Sequence, residues 1–324
     1  MPSIDLEMQN RTLTPFAVRP TSDSSADAAV ATATEQRPAL SKHLLKAGAL
    51  LFRGFNLRTP EDFSRMVDAF TGGAPRFGYA GGASPRRALS GNGDGLYSST
   101  EYPPEMELSL HNELSYADIH PRHLFFFCLV APQVGGATTL GDSRRILQRI
   151  DPHVLDLFRT KGVRYVRNLS PDAGSGYSWQ DAFETQDPSS AEAACERIGA
   201  DWEWRDGGFL HVSQLRPATA RHPVTGVEVW FNQADGFHPS ALDSETYATL
   251  LAWHGSEDAF RLNVTWGDGT PILRHVLTEV RAAIRAERVE HRWEAGDAVV
   301  LDNYLTAHGR APFSGLRKIA LAMT

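Results

Sequence analysis

Apolar residues recur along the chain in two rhythms, at every second position in many short runs and at every third or fourth position in a few longer ones. The first rhythm predicts strands and the second predicts helices. "GALLFRGF" (48–55) reads as a buried strand, and "HLFFFCLV" (123–130), apolar throughout after its histidine, as a strand covered on both faces. "RHPVTGVEVWFNQ" (221–233) reads as a turn running into a strand, "VEHRWEAGDAVVLDN" (289–303) as two strands around Gly-Asp, and "RKIALAMT" (317–324) as one more. A helix is predicted over 59–70, with Thr59 as cap, Pro60 in the first turn and Phe63, Met66, Val67 and Phe70 along one stripe. Two others are predicted over 151–162, from Asp-Pro to Gly, and over 270–287, which opens on Thr-Pro and carries Ile272, Leu273, Val276, Leu277, Val280 and Ile284. Residues 21–37 are small and polar with no large apolar anchor, so 1–37 reads as an N-terminal arm or linker ahead of a single domain over 38–324. Many short strands with a few flanking helices imply a sheet-on-sheet or barrel core.

Composition narrows the partners. With 42% hydrophobic and 22% charged residues in 324, the chain has the make-up of a globular protein able to bury a large core. Its net charge of −7 argues against nucleic acid or an anionic membrane as main partner, which leaves small molecules or another protein. Cys128 and Cys195 are the only cysteines, so no disulfide framework is expected. There is no basic-then-apolar leader and no run of membrane-spanning length, and a cytoplasmic location is the expectation.

Chemistry concentrates in two stretches. In "LSLHNELSYAD" (108–118), strand alternation would project His111 and Glu113 from one face. In "LDNYLTAHGRAPFSGLRKIALAMT" (301–324), His308 follows a strand and a polar loop. Two histidines and one carboxylate make the facial set of non-haem Fe(II) oxygenases, which leaves the opposite face of the metal open. Arg317 shares a strand face with Ile319, Leu321 and Met323, and a cation on an apolar face needs an anionic partner. That partner is either a structural acid or the carboxylate of a cosubstrate.

With these motifs in place, the chain resembles the Fe(II)/2-oxoglutarate-dependent dioxygenases of the TauD/TfdA-like superfamily, in particular the clavaminate synthase-like and syringomycin-hydroxylase-like branch. The resemblance runs from "GALLFRGF" to the end, through "YSSTEYPPEMELSLHNELSY", "APQVGGATTLGDSRR", "RHPVTGVEVWFNQ" and "DNYLTAHGRAPFSGLRKIALAM". It implies a mainly β fold with flanking helices around a double-stranded β-helix, the jelly-roll or cupin-like core. It also implies that His111, Glu113 and His308 hold Fe(II), and that Arg317 and the hydroxyl of Thr138 bind the distal carboxylate of 2-oxoglutarate, with Arg310 and Thr139 as neighbouring alternatives. Dioxygen is then the co-reactant, and no acid or base beyond the metal ligands is called for.

The branch further implies an amino-acid-like small-molecule substrate, free or tethered to a carrier protein, hydroxylated at an unactivated C–H bond in natural-product biosynthesis. Desaturation or cyclisation by the same iron chemistry is the alternative, and a non-catalytic metal-binding jelly roll a remote one. Arg221, Asn232, Gln233 and His238 are candidate substrate residues, and "SPRRALSGNGDGLYSSTEY" (84–102), with Gly91, Gly93 and Gly95, a candidate lid.

Overall fold

A computed structural model describes residues 13–79, 82–84, 86–89, 95–172 and 177–324. Two sheets form its core. The larger has six strands in the order Phe16–Val18, Ala49–Phe52, Ala298–Asp302, His123–Val130, Lys318–Met323 and Leu96–Ser98. The smaller runs Val289–His291, Thr138–Asp142, Thr306–Arg310 and Leu108–His111. All neighbours in both sheets are antiparallel except the first pair of the larger one.

The doubly apolar strand His123–Val130 explains how the layers stack. Leu124, Phe126 and Cys128 join a core shared with Leu110, Leu140 and Ala307 of the smaller sheet. Phe125 and Phe127 point the other way, into a second core with Leu40, Leu44, Phe63, Met66 and Phe70 of the flanking helices. The last strand divides likewise, Ile319, Leu321 and Met323 facing the smaller sheet and Ala320 and Ala322 the helices. A period of two between two apolar layers therefore accounts for a run with no polar position. This is the expected jelly-roll core with flanking helices.

The helix at Pro60–Thr71 begins with a reciprocal capping box, Thr59 Oγ accepting from the Asp62 N–H and the Asp62 carboxylate accepting from the Thr59 N–H. The helix predicted from 270 starts only at Arg274. Thr270 is held instead in a turn, its carbonyl accepting from the Trp266 N–H and its own N–H donating to Asp268, so the Thr-Pro pair closes a hairpin rather than opening the helix.

Of the segment expected as an arm or linker over 1–37, residues 16–18 and 26–35 pack into the fold. Phe16–Val18 is the parallel edge strand of the larger sheet, and Ala26–Glu35 is a helix capped by Ser25. Ala29 and Ala33, fully buried, let that helix lie close against the helix Pro60–Thr71. Small residues one turn apart supply the contact that large ones were expected to make.

A third, four-stranded antiparallel sheet, in the order Leu262–Trp266, Val163–Leu169, Phe209–Arg216 and Asp201–Arg205, adds Val163, Tyr165, Val264 and Trp266 to the core that the smaller sheet shares. No helix among the described residues is long and apolar enough to cross a membrane.

Candidate metal and cosubstrate site

His308 and His111 are directly opposed on adjacent antiparallel strands, their ring centroids 4.4 Å apart. The strands approach so closely that a Cβ at Gly309 would sit 2.3 Å from the Leu108 carbonyl oxygen, so only glycine holds them at this spacing. Glu113 is placed differently from the alternation expected. The strand ends at His111, and Glu113 sits in the turn that follows, beside Leu114 at φ 55°.

That turn is clamped by Asn303, fully buried. Its Oδ1 accepts from the Glu113 N–H at 2.8 Å, and its Nδ2 donates to the carbonyls of Glu113 at 3.0 Å and Pro121 at 2.8 Å. Asn112 donates to the Asn303 carbonyl at 2.6 Å and to Ser143 Oγ at 3.1 Å.

The three side chains converge. One donor atom from each of His111, Glu113 and His308 lies within 4.8 Å of the others, and Glu113 Oε2 is 3.5 Å from His308 Nε2. His111 Nδ1 is bonded to the Ser109 carbonyl at 2.8 Å, which fixes the ring and leaves Nε2 to face the cluster. Burial, then the proximity of His308, pushes the His111 imidazole down to about 4, so at neutral pH it is the uncharged form that can donate a lone pair. Burial alone would raise the Glu113 carboxyl. Arg86 and the two histidines outweigh it and hold the group well below the usual carboxylate range. Two imidazoles and one carboxylate are a donor set that suits Fe(II).

Arg86 went unnoticed in the sequence. Its Nη2 meets Glu113 Oε2 at 2.6 Å, and both side chains are buried, 2% and 4% exposed. Burial would lower the guanidinium, but Glu113 overrides that and raises it. Arg86 stacks on Tyr79, 4.6 Å from the ring centroid. Its only signal was an arginine pair in a Gly/Pro-rich segment.

A cavity beside the histidines is lined by Thr138, Phe126, Arg317, Arg310, Ser99 and Arg86 among others. Thr138 pairs with Arg310 across the sheet and turns its hydroxyl inward, where it accepts from Trp293 Nε1 at 2.9 Å. Thr139, on the other face of the strand, does not line the cavity. The two arginines separate as clearly. Arg310 donates to three carbonyls, those of Tyr102, Pro103 and Met106, at 3.1, 2.6 and 2.8 Å, and so braces that loop. Arg317 donates to the Gly136 carbonyl at 3.0 Å and to Ser99 Oγ at 3.2 Å, and forms no ion pair among the described residues. Burial and then Arg310 bring it down to about 10, still charged at neutral pH.

The four residues expected to touch substrate lie elsewhere. Arg221 is exposed on the hairpin Thr219–Trp230, bonded to the Gly226 carbonyl. Asn232 is buried, donating to the Ala218 carbonyl and accepting from the Ala234 N–H. His238 is fixed between Ser240 and the Ile272 carbonyl. Gln233 comes nearest, its Nε2 donating to the Asn112 carbonyl and to Ser115 Oγ, and thus supports the turn that carries Glu113. None of the four lines the cavity. Within the expected lid, 87–89 pair with 96–98 at the edge of the larger sheet. Gly95 takes a left-handed φ of 69°, while Gly91 and Gly93 lie outside the described residues.

Residues 9–324 match the model of the taurine catabolism dioxygenase TauD, TfdA family. The chain belongs to that family. As a TauD/TfdA-family protein it is an Fe(II)- and 2-oxoglutarate-dependent dioxygenase. It is 34% identical over 300 residues to the dapdiamide synthesis protein DdaC of Enterobacter agglomerans, covering 93% of this chain and 88% of that one. A clavaminate synthase-like protein of Arabidopsis thaliana is 29% identical over 296 residues, 89% of this chain and 84% of that one. The fold of this family member resembles that of PvcB from Pseudomonas aeruginosa, with a TM-score of 0.54 at 15% identity over 96% of this chain and 86% of PvcB.

Proposed function

We propose that this dioxygenase holds Fe(II) through His111, Glu113 and His308, and hydroxylates an unactivated C–H bond of an amino acid or amino-acid derivative in a natural-product pathway. The observation that carries the site is the convergence of two imidazoles and a carboxylate beside Arg317, a largely buried cation with no acid partner among the described residues. When bound, Fe(II) and 2-oxoglutarate supply the oxidation, consuming dioxygen and releasing succinate and carbon dioxide.

The chain's own residues bind and orient. Arg317 receives the distal carboxylate of 2-oxoglutarate through charge-assisted hydrogen bonds, and Thr138, its lone pair engaged by Trp293, donates its hydroxyl proton to the same group. Asn303 keeps Glu113 at a fixed distance from the histidines. Phe126, packed on His308 with ring centroids 5.3 Å apart, keeps water from the back of the site.

The substrate class is supported by the likeness to the dapdiamide synthesis protein and, in fold, to PvcB, an Fe, alpha-ketoglutarate dependent oxygenase from an isonitrile synthetic pathway. The test is succinate release by the Fe(II)-loaded protein in the presence of free and carrier-bound amino acids, with mass spectrometry of the product. A gain of one oxygen atom is the expected result. Loss of two hydrogens would replace hydroxylation with desaturation or cyclisation, and no substrate-stimulated succinate release from any amino acid would contradict the proposal.

A further inference from the structure

We infer that Arg86 anchors the carboxylate of the substrate, and that the substrate is therefore a free carboxylic acid rather than a carrier-bound thioester. This rests on the dioxygenase site described above. Arg86 borders two cavities. One is the cavity beside the histidines, and the other is an outer cavity of about 450 Å³ walled by Tyr79, Tyr177, Arg87, Glu101, Asp181 and Glu184. It is the one described residue common to both. Its Nε is buried without a hydrogen-bond partner, while Nη2 is engaged by Glu113. Buried donors are rarely left unsatisfied, because each costs about 1–3 kcal/mol and more when charged.

Charge balance points the same way. A divalent iron, Glu113 and the two carboxylates of 2-oxoglutarate together carry one net negative charge, which Arg317 cancels. Arg310 gives Nη1 and Nη2 to three carbonyls and, like Arg86, has a buried Nε without a partner, but it does not border the outer cavity. Arg86 then remains as a buried cation whose only acid, Glu113, is shared with the metal. A further anion entering from the outer cavity lowers the remaining positive charge where the guanidinium has a free edge.

The rim carries the opposite charge. Glu184 is exposed, held at φ 53°, and forms no ion pair among the described residues, whereas Arg87 and Glu101 neutralise each other at 2.8 Å. A molecule with a carboxylate at one end and an ammonium group at the other matches that polarity. A thioester has no such carboxylate, so Arg86 discriminates against the carrier-bound form.

The experiment uses protein loaded with redox-inert Zn(II) and 2-oxoglutarate. Saturation-transfer NMR reads binding of the free L-amino acids and of their carboxamides. At least one acid is expected to bind, its carboxamide about tenfold more weakly. R86Q should bring acid and carboxamide to the same weak affinity and R86K should restore part of the difference. Equal binding of acid and carboxamide by the wild type overturns the proposal, and that comparison needs no variant. So does loss of 2-oxoglutarate affinity in R86Q with acid binding kept, which would put Arg86 in the cosubstrate pocket. Failure of every amino acid to bind also overturns it. Failure of the underlying site is read separately, as absence of the Fe(II)–2-oxoglutarate charge-transfer absorption in the wild type.

Discussion

The two walls of the site are built in different ways. On the cosubstrate wall, His308 and Thr138 project from neighbouring strands of one sheet and Arg317 stands at the head of a strand in the other, so backbone ladders fix their spacing. On the opposite wall, Glu113 sits in a turn and Arg86 in a loop, and their positions depend on side chains: Asn303 and Asn112 under the turn, Tyr79 under the arginine. The difference teaches where each part of the chemistry resides. Most of the candidate metal and cosubstrate residues stand on strands, while Glu113 and Arg86 are held by loops that side chains position on the scaffold.

The largest expected effect strikes the strand wall. His308→Ala removes one of three ligands, and turnover should fall by at least about a thousandfold with loss of Fe(II) affinity, read by anaerobic metal titration. Full activity in that variant would remove His308 from the site.

Asn303→Ala tests the claim that the turn wall depends on one side chain. It leaves the N–H and carbonyl of Glu113 without partners, and denaturant unfolding should show a loss of about 2–4 kcal/mol. Metal affinity should drop about 10–100-fold, as for other residues that orient ligands. An unchanged affinity would mean that the turn holds its shape unaided.

Arg317→Ala should raise the apparent KM for 2-oxoglutarate by about 10–100-fold with a smaller change in kcat, the loss expected for a charge-assisted pair. If KM does not move, Arg310 is the anchor despite its three carbonyls. The smallest effect sharpens the contrast: Arg221→Ala, on an exposed hairpin, should leave all kinetic constants unchanged.

The same division explains what the sequence made legible. His111, the distant His308 and Arg317 belong to strands or to the residues flanking them, where periodicity tells which side chains share a face, whereas Glu113 reaches the cluster from a turn that alternation did not foresee. The doubly apolar run at 123–130 announced a central strand because two layers cover it. Arg86 carried no such signal: an arginine in a polar loop is ordinarily solvated, and only the chain path through Tyr79 and Glu113 buries it. The substrate residues expected near 221–238 do not line the cavity for the converse reason, since polar side chains in a turn-rich stretch bond nearby backbone, as Asn232 and His238 do. The helix Ala26–Glu35 was illegible because its contact surface is made of alanines, which composition does not mark as core.

The central claim is that His111, Glu113 and His308 hold Fe(II) with 2-oxoglutarate beside it. Anaerobic difference spectroscopy tests it most directly: adding 2-oxoglutarate to the Fe(II)-loaded protein should produce the weak visible metal-to-ligand charge-transfer band, and His111→Ala should abolish it. Absence of the band in folded wild-type protein, or its persistence unchanged in His111→Ala, would contradict the account.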